Sequence, residues 1–380
     1  MQDHIYLDNN ATTTVDQKVL ETMLNELSSS AKNPSSVHYA GRQGQKLLLE
    51  ARSIISKFLK VTPSEIIFTS GGTESMNLLI QASLNENEKG HIITTNLEHP
   101  CVDRTLSHFE SKGFDLTYVS PGKWGAPHPK QIESAIKNNT QLIVVSAVNS
   151  ETGVKIDLKG VAAIAQNANI PLIVDGVALL GKEPFEIPQG VTGMGFSAHK
   201  IHGPKGVGCA FVRKGFRWSP FLLGGHQERS IRGGTENLAG ILGFARAVSL
   251  LDTHLDLFNS HLLYLRNQLE SELKKEIPDL MINGEGPRVS NTSNICFPQA
   301  DGEDLLIHLD MHGIAVSQGS ACSSGALEPS RVLLNMGFSK NHAQSSLRFS
   351  LSRMNTSEEI TKTVTCIIHY LKQAHSFESE

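Results

Sequence analysis

The sequence lacks the features that mark membrane and secreted proteins. No run approaches the roughly 20 consecutive apolar residues that a membrane-spanning helix needs. The first fourteen residues, MQDHIYLDNNATTT, have neither a basic start nor an apolar core. We therefore expect a cytoplasmic protein that does not associate with a membrane.

An excess of basic residues is also missing. The formal net charge is −4, and we find no basic stripe along the chain, so no direct nucleic-acid binding site is expected. With 39% hydrophobic and 19% charged residues, the composition is that of an ordinary globular protein. Internal repeats and low-complexity tracts are absent as well, which excludes fibrous and disordered classes.

Cysteines are few and scattered. The five cysteines are Cys101, Cys209, Cys296, Cys322 and Cys366. They form no CxxC pair and show no metal-ligand spacing, so we predict no metal site. Four are expected to be buried free thiols. Cys322 differs, because it lies among small polar residues that favour an exposed loop in which a thiol can ionise.

A chain of 380 residues is too long for one compact core. We predict an N-terminal arm over residues 1–14 that packs with the smaller domain. A large domain is predicted over 15–255 and a small C-terminal domain over 256–380. A long helical pattern over residues 239–275 is predicted to connect the two domains.

Between His91 and Arg213, apolar segments without clean alternation follow one another, and helical patterns separate several of them. Such segments are typical of strands covered on both faces, which predicts an α/β fold with a mostly parallel central sheet. In such sheets ligands bind beyond the carboxyl ends of the strands. The polar residues at those ends are Glu98-His99, Asn149-Ser150-Glu151, Asp175 and Ser197-Ala198-His199-Lys200.

Lys200, in the segment FSAHKIHGPKG, could form a Schiff base with an aldehyde, or it could be an ordinary surface lysine. Asp175 could keep a pyridinium nitrogen protonated, or it could cap a turn. The Gly71-Gly72-Thr73 turn follows a strand and precedes a helical pattern over residues 76–84, an arrangement that favours phosphate binding. Gly-Gly also serves any tight connection.

Further residues complete the set that a pyridoxal phosphate enzyme needs. Thr73, Ser197 and His199 could donate hydrogen bonds to a phosphate, and His99 could stack on the cofactor ring. Arg348 lies in the half-buried strand pattern of residues 346–351. It requires an anionic partner, which could be a substrate carboxylate or a structural salt bridge.

Several motifs occur together and in order along essentially the whole chain. They are YLDNNATT from Tyr6, NPSSVH from Asn33, FTSGGTES from Phe68, Glu98-His99, NSETG from Asn149, SAHK from Ser197, RGGTEN from Arg232 and SACSSGALEPS from Ser320. This set resembles the cysteine desulfurases of the NifS/IscS type, pyridoxal phosphate enzymes of fold type I in the class V aminotransferase superfamily. The last motif is similar to that of the long-loop group.

The resemblance implies a large domain with a mostly parallel seven-stranded sheet and a small C-terminal α/β domain. It implies a homodimeric enzyme that takes sulfur from L-cysteine, leaves L-alanine and carries the sulfur as a persulfide on Cys322. The persulfide would pass to acceptor proteins such as an iron–sulfur scaffold, or serve tRNA thiolation. The alternatives are a selenocysteine lyase or another β-lyase, which would share the lysine and the aspartate, and a degenerate homologue that acts as a scaffold.

The resemblance also implies residue roles. The cofactor-binding residues would be Gly72, Thr73, His99, Asn149, Asp175, Ser197, His199, Lys200 and Thr235, the last from the neighbouring subunit. Lys200 would carry pyridoxal 5'-phosphate, and His99 would assist proton transfer. Asn149 and Arg348 would bind the substrate carboxylate, and Cys322 would attack the substrate sulfur.

The sequence departs from the family pattern at one position. The third residue after Asp175 is normally a glutamine that donates a hydrogen bond to the ring hydroxyl oxygen, and here it is Ala178. A hydrogen bond to a charged oxygen contributes roughly 1.5 to 3 kcal/mol. We therefore expect weakened or altered activity.

Overall fold

The computed structural model describes residues 4–84, 89–216, 218–319 and 328–378. Cys322, the predicted nucleophile, lies outside these residues. The strands are β1 (Ile5–Tyr6), β2 (Ile66–Thr69), β3 (His91–Thr95), β4 (Asp115–Val119), β5 (Thr140–Ser146), β6 (Leu172–Asp175), β7 (Gly193–Ser197), β8 (Gly208–Val212), β9 (Met281–Ile282), β10 (Thr292–Cys296), β11 (Ile314–Ala315) and β12 (Ser346–Ser350). The α-helices are α1 (Gln17–Leu27), α2 (Tyr39–Phe58), α3 (Gly72–Ser83), α4 (Pro100–Ser111), α5 (Pro129–Ser134), α6 (Leu158–Asn167), α7 (Leu238–Glu276), α8 (Gly302–Met311), α9 (Arg331–Asn335), α10 (Lys340–Gln344) and α11 (Ser357–Glu378).

A seven-stranded sheet forms the centre of the larger part, in the order β2-β8-β7-β6-β5-β3-β4. The strands from β7 to β4 pair in parallel, and β8 runs antiparallel to both of its neighbours. The predicted α/β fold with a mostly parallel seven-stranded sheet is therefore confirmed.

The strands of this sheet are buried on both faces. In β5, Ile143 and Val145 pack into one hydrophobic cluster, whereas Leu142 and Val144 pack into another. Because neighbouring side chains of a strand point to opposite faces, both faces need apolar residues. This explains why the segments show no polar alternation.

A second core lies between the C-terminal part of α7 and the helices α8 and α11. It packs against a three-stranded sheet in the order β12-β10-β9. The chain's first strand joins this part, because β1 pairs in parallel with β11, Ile5 opposite Ile314. The N-terminal arm thus lies against residues more than 300 positions away in the sequence.

Helix α7 belongs to both cores. Its 39 residues extend about 58 Å. Leu251 is buried in the first core and Leu262 in the second, and the predicted division at residues 255/256 falls between them. This helix is long and apolar enough to cross a membrane by composition alone, but 56% of its most apolar window is buried inside the protein. Packing in two cores accounts for that hydropathy.

Helix α3 begins earlier than the sequence pattern predicts. The pattern favours a start at Met76, whereas the helix begins at Gly72, inside the Gly-Gly-Thr turn. The Glu74 side chain accepts a hydrogen bond from the Ser70 N–H at 2.8 Å and closes the turn. The first-turn N–H groups of a helix have no partner within the helix, so this end is suited to an anion.

Candidate active site

A cavity of about 670 Å³ opens at the carboxyl ends of β5, β6 and β7. Nine of the predicted site residues line it: Gly72, Thr73, His99, Asn149, Asp175, Ser197, His199, Lys200 and Arg348. The parallel strands explain this assembly, because their carboxyl ends meet at one edge of the sheet.

The first turn of α3 forms one wall of the cavity. A side chain at Gly72 would not fit, because its Cβ would lie 2.6 Å from Cγ2 of Val177. Thr73 and Ser197 line the cavity nearby and bring hydroxyl groups to the helix N-terminus. Backbone N–H groups, hydroxyls and the helix dipole together suit a phosphate group.

Asp175 ends β6 and is buried, with 7% of its surface exposed. One carboxylate oxygen accepts a hydrogen bond from the Val177 N–H at 2.9 Å. Burial raises the pKa of Asp175, and the neighbouring His99 and Lys200 oppose this rise. A buried carboxylate is stabilised by a cationic partner, which a protonated ring nitrogen would supply.

His99 is held in a fixed orientation at the start of α4. Its Nδ1 accepts a hydrogen bond from the Cys101 N–H at 3.1 Å. Burial lowers the pKa of His99, which favours the neutral ring. A neutral imidazole that accepts at Nδ1 carries its proton at Nε2.

Cys101, predicted from the sequence to be a buried free thiol, lines the cavity. Its Sγ lies 3.0 Å from Nδ1 of His99. Burial, together with the charges of Asp175 and Glu98, raises the pKa of the Cys101 thiol. Cys101 is therefore a protonated neighbour of His99 and is unsuited to act as a nucleophile.

Lys200 lies in a short 3₁₀ turn directly after β7. Its Nζ donates hydrogen bonds to the carbonyl oxygens of Asn10 and Ala11, the latter at 2.8 Å. The N-terminal arm thus contacts the very amine that would carry the cofactor. His199 is tied to the same arm, since its Nδ1 lies 3.1 Å from Oγ1 of Thr12. Burial and the charge of Lys200 lower the pKa of His199 to about 4, so the ring is neutral.

Lys182 is a second lysine in the cavity and is not among the predicted site residues. Only 6% of its surface is exposed, and its Nζ donates to the backbone oxygen of Lys200 at 3.2 Å. Burial and the charge of Lys200 lower the pKa of Lys182 to about 8. Its only signal in the sequence is a position seven residues after Asp175, in the connection that leaves the same strand.

Arg348 is more deeply buried than its sequence pattern predicts, with 2% of its surface exposed. Its Nη2 lies 2.6 Å from Oδ1 of Asp8, and its Nη1 donates to the Ser150 oxygen at 3.2 Å. Nε is buried and has no hydrogen-bond partner among the described residues. A salt bridge is thus present, and the cavity-lining guanidinium keeps a donor for an additional anion.

Asn149 is positioned by its own loop. Its Oδ1 accepts hydrogen bonds from the N–H groups of Glu151 and Thr152, both at 3.0 Å, and its Nδ2 donates to Leu97 O at 3.3 Å. These contacts fix the amide at the cavity wall.

Glu98 is a buried acid next to His99 and is not among the predicted site residues. Its carboxylate accepts hydrogen bonds from the hydroxyls of Ser146 and Thr95. Burial nevertheless raises the pKa of Glu98 to about 7. The acid therefore titrates near neutral pH inside the site.

The structure places one predicted site residue away from this cavity. Thr235 is exposed and does not line the cavity of its own chain, as far as the described residues show. Cys322 lies outside the described residues, although Gly319 and Glu328, which flank that segment, line the cavity. Ala178 also lines the cavity, where its methyl group offers no hydrogen-bond donor.

The residues of the cavity fit pyridoxal 5'-phosphate. One cavity combines an amine for the aldehyde, a buried carboxylate for the ring nitrogen and a helix N-terminus for the phosphate. In agreement with this chemistry, residues 5–363 match the family model for class V aminotransferases. The chain belongs to the class V aminotransferase family. Pyridoxal phosphate is accordingly its cofactor.

Similar proteins include several that are named cysteine desulfurase. A cysteine desulfurase of Nostoc sp. is 39% identical over 382 residues, which cover 99% of this chain and 96% of the relative. A solved structure named NifS-like protein is 35% identical, with a TM-score of 0.89 and 97% of this chain and 99% of that chain covered. Another solved structure, described as SspA in complex with cysteine, is 30% identical, with a TM-score of 0.79. The match covers 93% of this chain and 100% of that chain.

Proposed function

We propose that the chain is a cysteine desulfurase, which converts L-cysteine to L-alanine and leaves the sulfur as a persulfide on Cys322. The observation that carries the proposal is the single cavity in which Lys200, Asp175 and Arg348 meet. The full-length similarity to cysteine desulfurases supports it. Pyridoxal phosphate, when bound, withdraws electron density from the α-carbon of an amino acid.

The side chains that line the cavity have distinct roles in this proposal. Lys200 would hold the aldehyde of the cofactor through its amine, and Asp175 would stabilise a proton on the ring nitrogen. Arg348 and Asn149 orient the substrate carboxylate. His99, with its proton at Nε2, would stack on the cofactor ring and would move protons at the substrate.

Cys322 is the nucleophile in this proposal. Its thiolate attacks the sulfur of the substrate, so that an S–S bond forms while the C–S bond breaks. The electron pair of the broken bond stays with the substrate, whose carbon takes up a proton and becomes the methyl group of alanine. One thiol and one cysteine give one persulfide and one alanine, so no external oxidant is needed.

A homodimer and a protein acceptor are part of the proposal. Thr235 lies on an exposed glycine-rich loop and does not line its own cavity, which supports a role in the cavity of a second copy. The persulfide would then pass to an acceptor protein such as an iron–sulfur scaffold. We place this chemistry in the cytoplasm.

The test is release of sulfide and alanine from L-cysteine, with pyridoxal phosphate and a reductant present. The intact protein should produce both, and Cys322→Ala should produce neither while it retains the absorbance of the bound cofactor. Cys296→Ala, which alters a buried thiol of β10 outside the cavity, is the matched control and should remain active. Equal sulfide release by Cys322→Ala would refute the role of Cys322. If the intact protein with bound cofactor releases neither product, the proposed function fails.

A further inference from the structure

Two histidines and a cysteine form a cluster on the small domain, outside the active-site cavity. His308 lies in the last turn of α8, His312 follows that helix by one residue, and Cys366 lies in α11. The three side chains each offer a ligand atom within 4.8 Å of the others. None of the three lines the cavity described above. The proposed desulfurase chemistry has no use for them.

His308 has a ring nitrogen that could serve as a metal ligand. Its Nε2 is buried and has no hydrogen-bond partner among the described residues. The ring is fixed by packing, since its centroid lies 4.3 Å from that of His312 and 4.9 Å from that of Tyr370. Buried polar atoms without a partner are rare in native proteins, and a bound metal ion would give this nitrogen one.

In His312, one ring nitrogen is hydrogen-bonded to the backbone, an arrangement typical of metal-binding histidines. Its Nδ1 lies 2.8 Å from the backbone oxygen of His308. A carbonyl oxygen can only accept, so Nδ1 carries the proton and Nε2 keeps its lone pair for coordination. A hydrogen bond from the second ring nitrogen to a carbonyl is the usual way in which proteins set the tautomer of a ligating histidine.

Cys366 adds a soft sulfur to the two imidazoles. Two nitrogens and one thiolate suit Zn²⁺, whose bonds of about 2.0 to 2.1 Å to nitrogen and about 2.3 Å to sulfur put tetrahedral ligands roughly 3.3 to 3.6 Å apart. The observed spread of up to 4.8 Å is wider, so binding of the ion requires the side chains to rotate towards it. Three protein ligands leave the fourth position of the ion open to solvent.

We propose that His308, His312 and Cys366 form a binding site for a first-row divalent metal ion of the Zn²⁺ type. This proposal departs from the prediction made from the sequence that no metal is bound. Cys366 is 54 residues beyond His312, so no spacing motif reveals it, and only the packing of α11 on α8 brings it close. The ion links the end of α8 to α11, two helices of the second core.

Cobalt binding to the holoenzyme tests the site, because a tetrahedral Co²⁺ site with a thiolate ligand has characteristic visible and charge-transfer absorption. The experiment uses the Cys322→Ser holoenzyme after dialysis against a chelator, so that the proposed nucleophile cannot bind the ion. We expect one Co²⁺ per chain, displaced by Zn²⁺. Zinc should also raise the melting temperature, because it binds the folded chain.

Single substitutions then assign the ligands. His308→Ala, His312→Ala and Cys366→Ser should each weaken Co²⁺ binding by more than the roughly 10-fold to 100-fold that loss of an outer contact causes. Cys366→Ser should also abolish the charge-transfer band. His254→Ala removes an exposed histidine of α7 outside the cluster and should leave binding unchanged.

Circular dichroism and cofactor absorbance verify that each variant is folded. Absence of Co²⁺ binding by the parent protein would overturn the proposal. So would binding of normal affinity by folded His308→Ala and Cys366→Ser variants. The desulfurase proposal does not depend on either result.

Discussion

Arg348 of β12 and Asp8 of the N-terminal arm form an ion pair in which Nη2 and Oδ1 lie 2.6 Å apart. The arm thereby fixes the guanidinium that is proposed to bind the substrate carboxylate. Arg348 has a buried Nε without a partner among the described residues, so the pair leaves binding capacity for a second anion.

We predict that Arg348→Lys raises the KM for L-cysteine and changes kcat less. Lysine keeps the charge opposite Asp8 but cannot present two parallel donors to a carboxylate. A hydrogen bond to a charged group contributes about 1.5 to 3 kcal/mol, which corresponds to a rise in KM of about 10-fold to 150-fold. Steady-state kinetics of alanine formation measure the KM and kcat of the variant. The control is Arg353→Lys, because Arg353 pairs with Asp16 at 2.6 Å and does not line the cavity. An unchanged KM in Arg348→Lys would exclude Arg348 as the carboxylate anchor.

Glu98 should make the free energy of unfolding depend on pH. Its pKa is about 7 in the folded protein, against an ordinary value of 4.5. Between these values the folded chain holds a proton that the unfolded chain has released, so stability falls as pH rises from about 4.5 to 7. The full shift corresponds to about 3 kcal/mol. In Glu98→Gln the side chain cannot ionise, so this decline should disappear.

The measurement is the melting temperature of the holoenzyme from pH 5 to pH 8. Glu98→Gln should melt higher than the wild type at pH 8 and nearly equal to it at pH 5. Glu133→Gln, at an exposed position of α5, is the control and should follow the wild-type curve. Parallel curves for Glu98→Gln and wild type would show that Glu98 is ionised throughout this range.

Lys182 should act as a positioning residue for Lys200. Its Nζ contacts the backbone of Lys200, and the two amines repel each other when both are charged. A hydrogen bond contributes about 0.5 to 1.5 kcal/mol, so loss of the contact that holds the Lys200 backbone should lower kcat of Lys182→Met by about 2-fold to 12-fold. The wild-type pH–rate profile should change near pH 8, where Lys182 titrates, and the profile of Lys182→Met should be flat there.

Lys205, an exposed lysine in the segment FSAHKIHGPKG that also contains Lys200, provides the control. Lys205→Met removes a positive charge without altering the cavity lining and should keep the wild-type profile. A step near pH 8 that persists in Lys182→Met would assign the titration to another group.

Ala178→Gln should restore a donor to the ring hydroxyl oxygen of the cofactor. Ala178 lines the cavity, so a longer side chain at this position points to the cofactor site. One hydrogen bond to a charged oxygen contributes about 1.5 to 3 kcal/mol, which corresponds to a change of tenfold or more in the turnover rate. We expect a shifted absorbance of the bound cofactor and faster turnover of L-cysteine. An identical spectrum together with an identical turnover would mean that the position has no influence on the ring.

The sequence predicts those parts of the site that depend on local order along the chain. Asp175 and Lys200 each end an apolar segment, and the parallel sheet brings such ends together. Lys182 was missed, since its burial depends on how the connection after β6 folds against Lys200. The pKa of Glu98 likewise follows from the exclusion of water by surrounding elements, which no local pattern encodes.

The cluster of His308, His312 and Cys366 was missed for a related reason. The two histidines are neighbours on one helical turn, but the third ligand comes from a separate helix. Only the packing of the second core reveals that the three belong together.

The pairing of β1 with β11 determines when the site can be completed during synthesis. Ile5 leaves the ribosome early, but its partner Ile314 follows about 309 residues later. At roughly 5 to 20 residues per second, the arm waits about 15 to 60 seconds for that partner. Asn10 and Ala11, which contact Lys200, belong to the same arm. A nascent chain therefore acquires its cofactor pocket only near the end of translation, so a chain truncated before β11 should have a folded central sheet and an incomplete site.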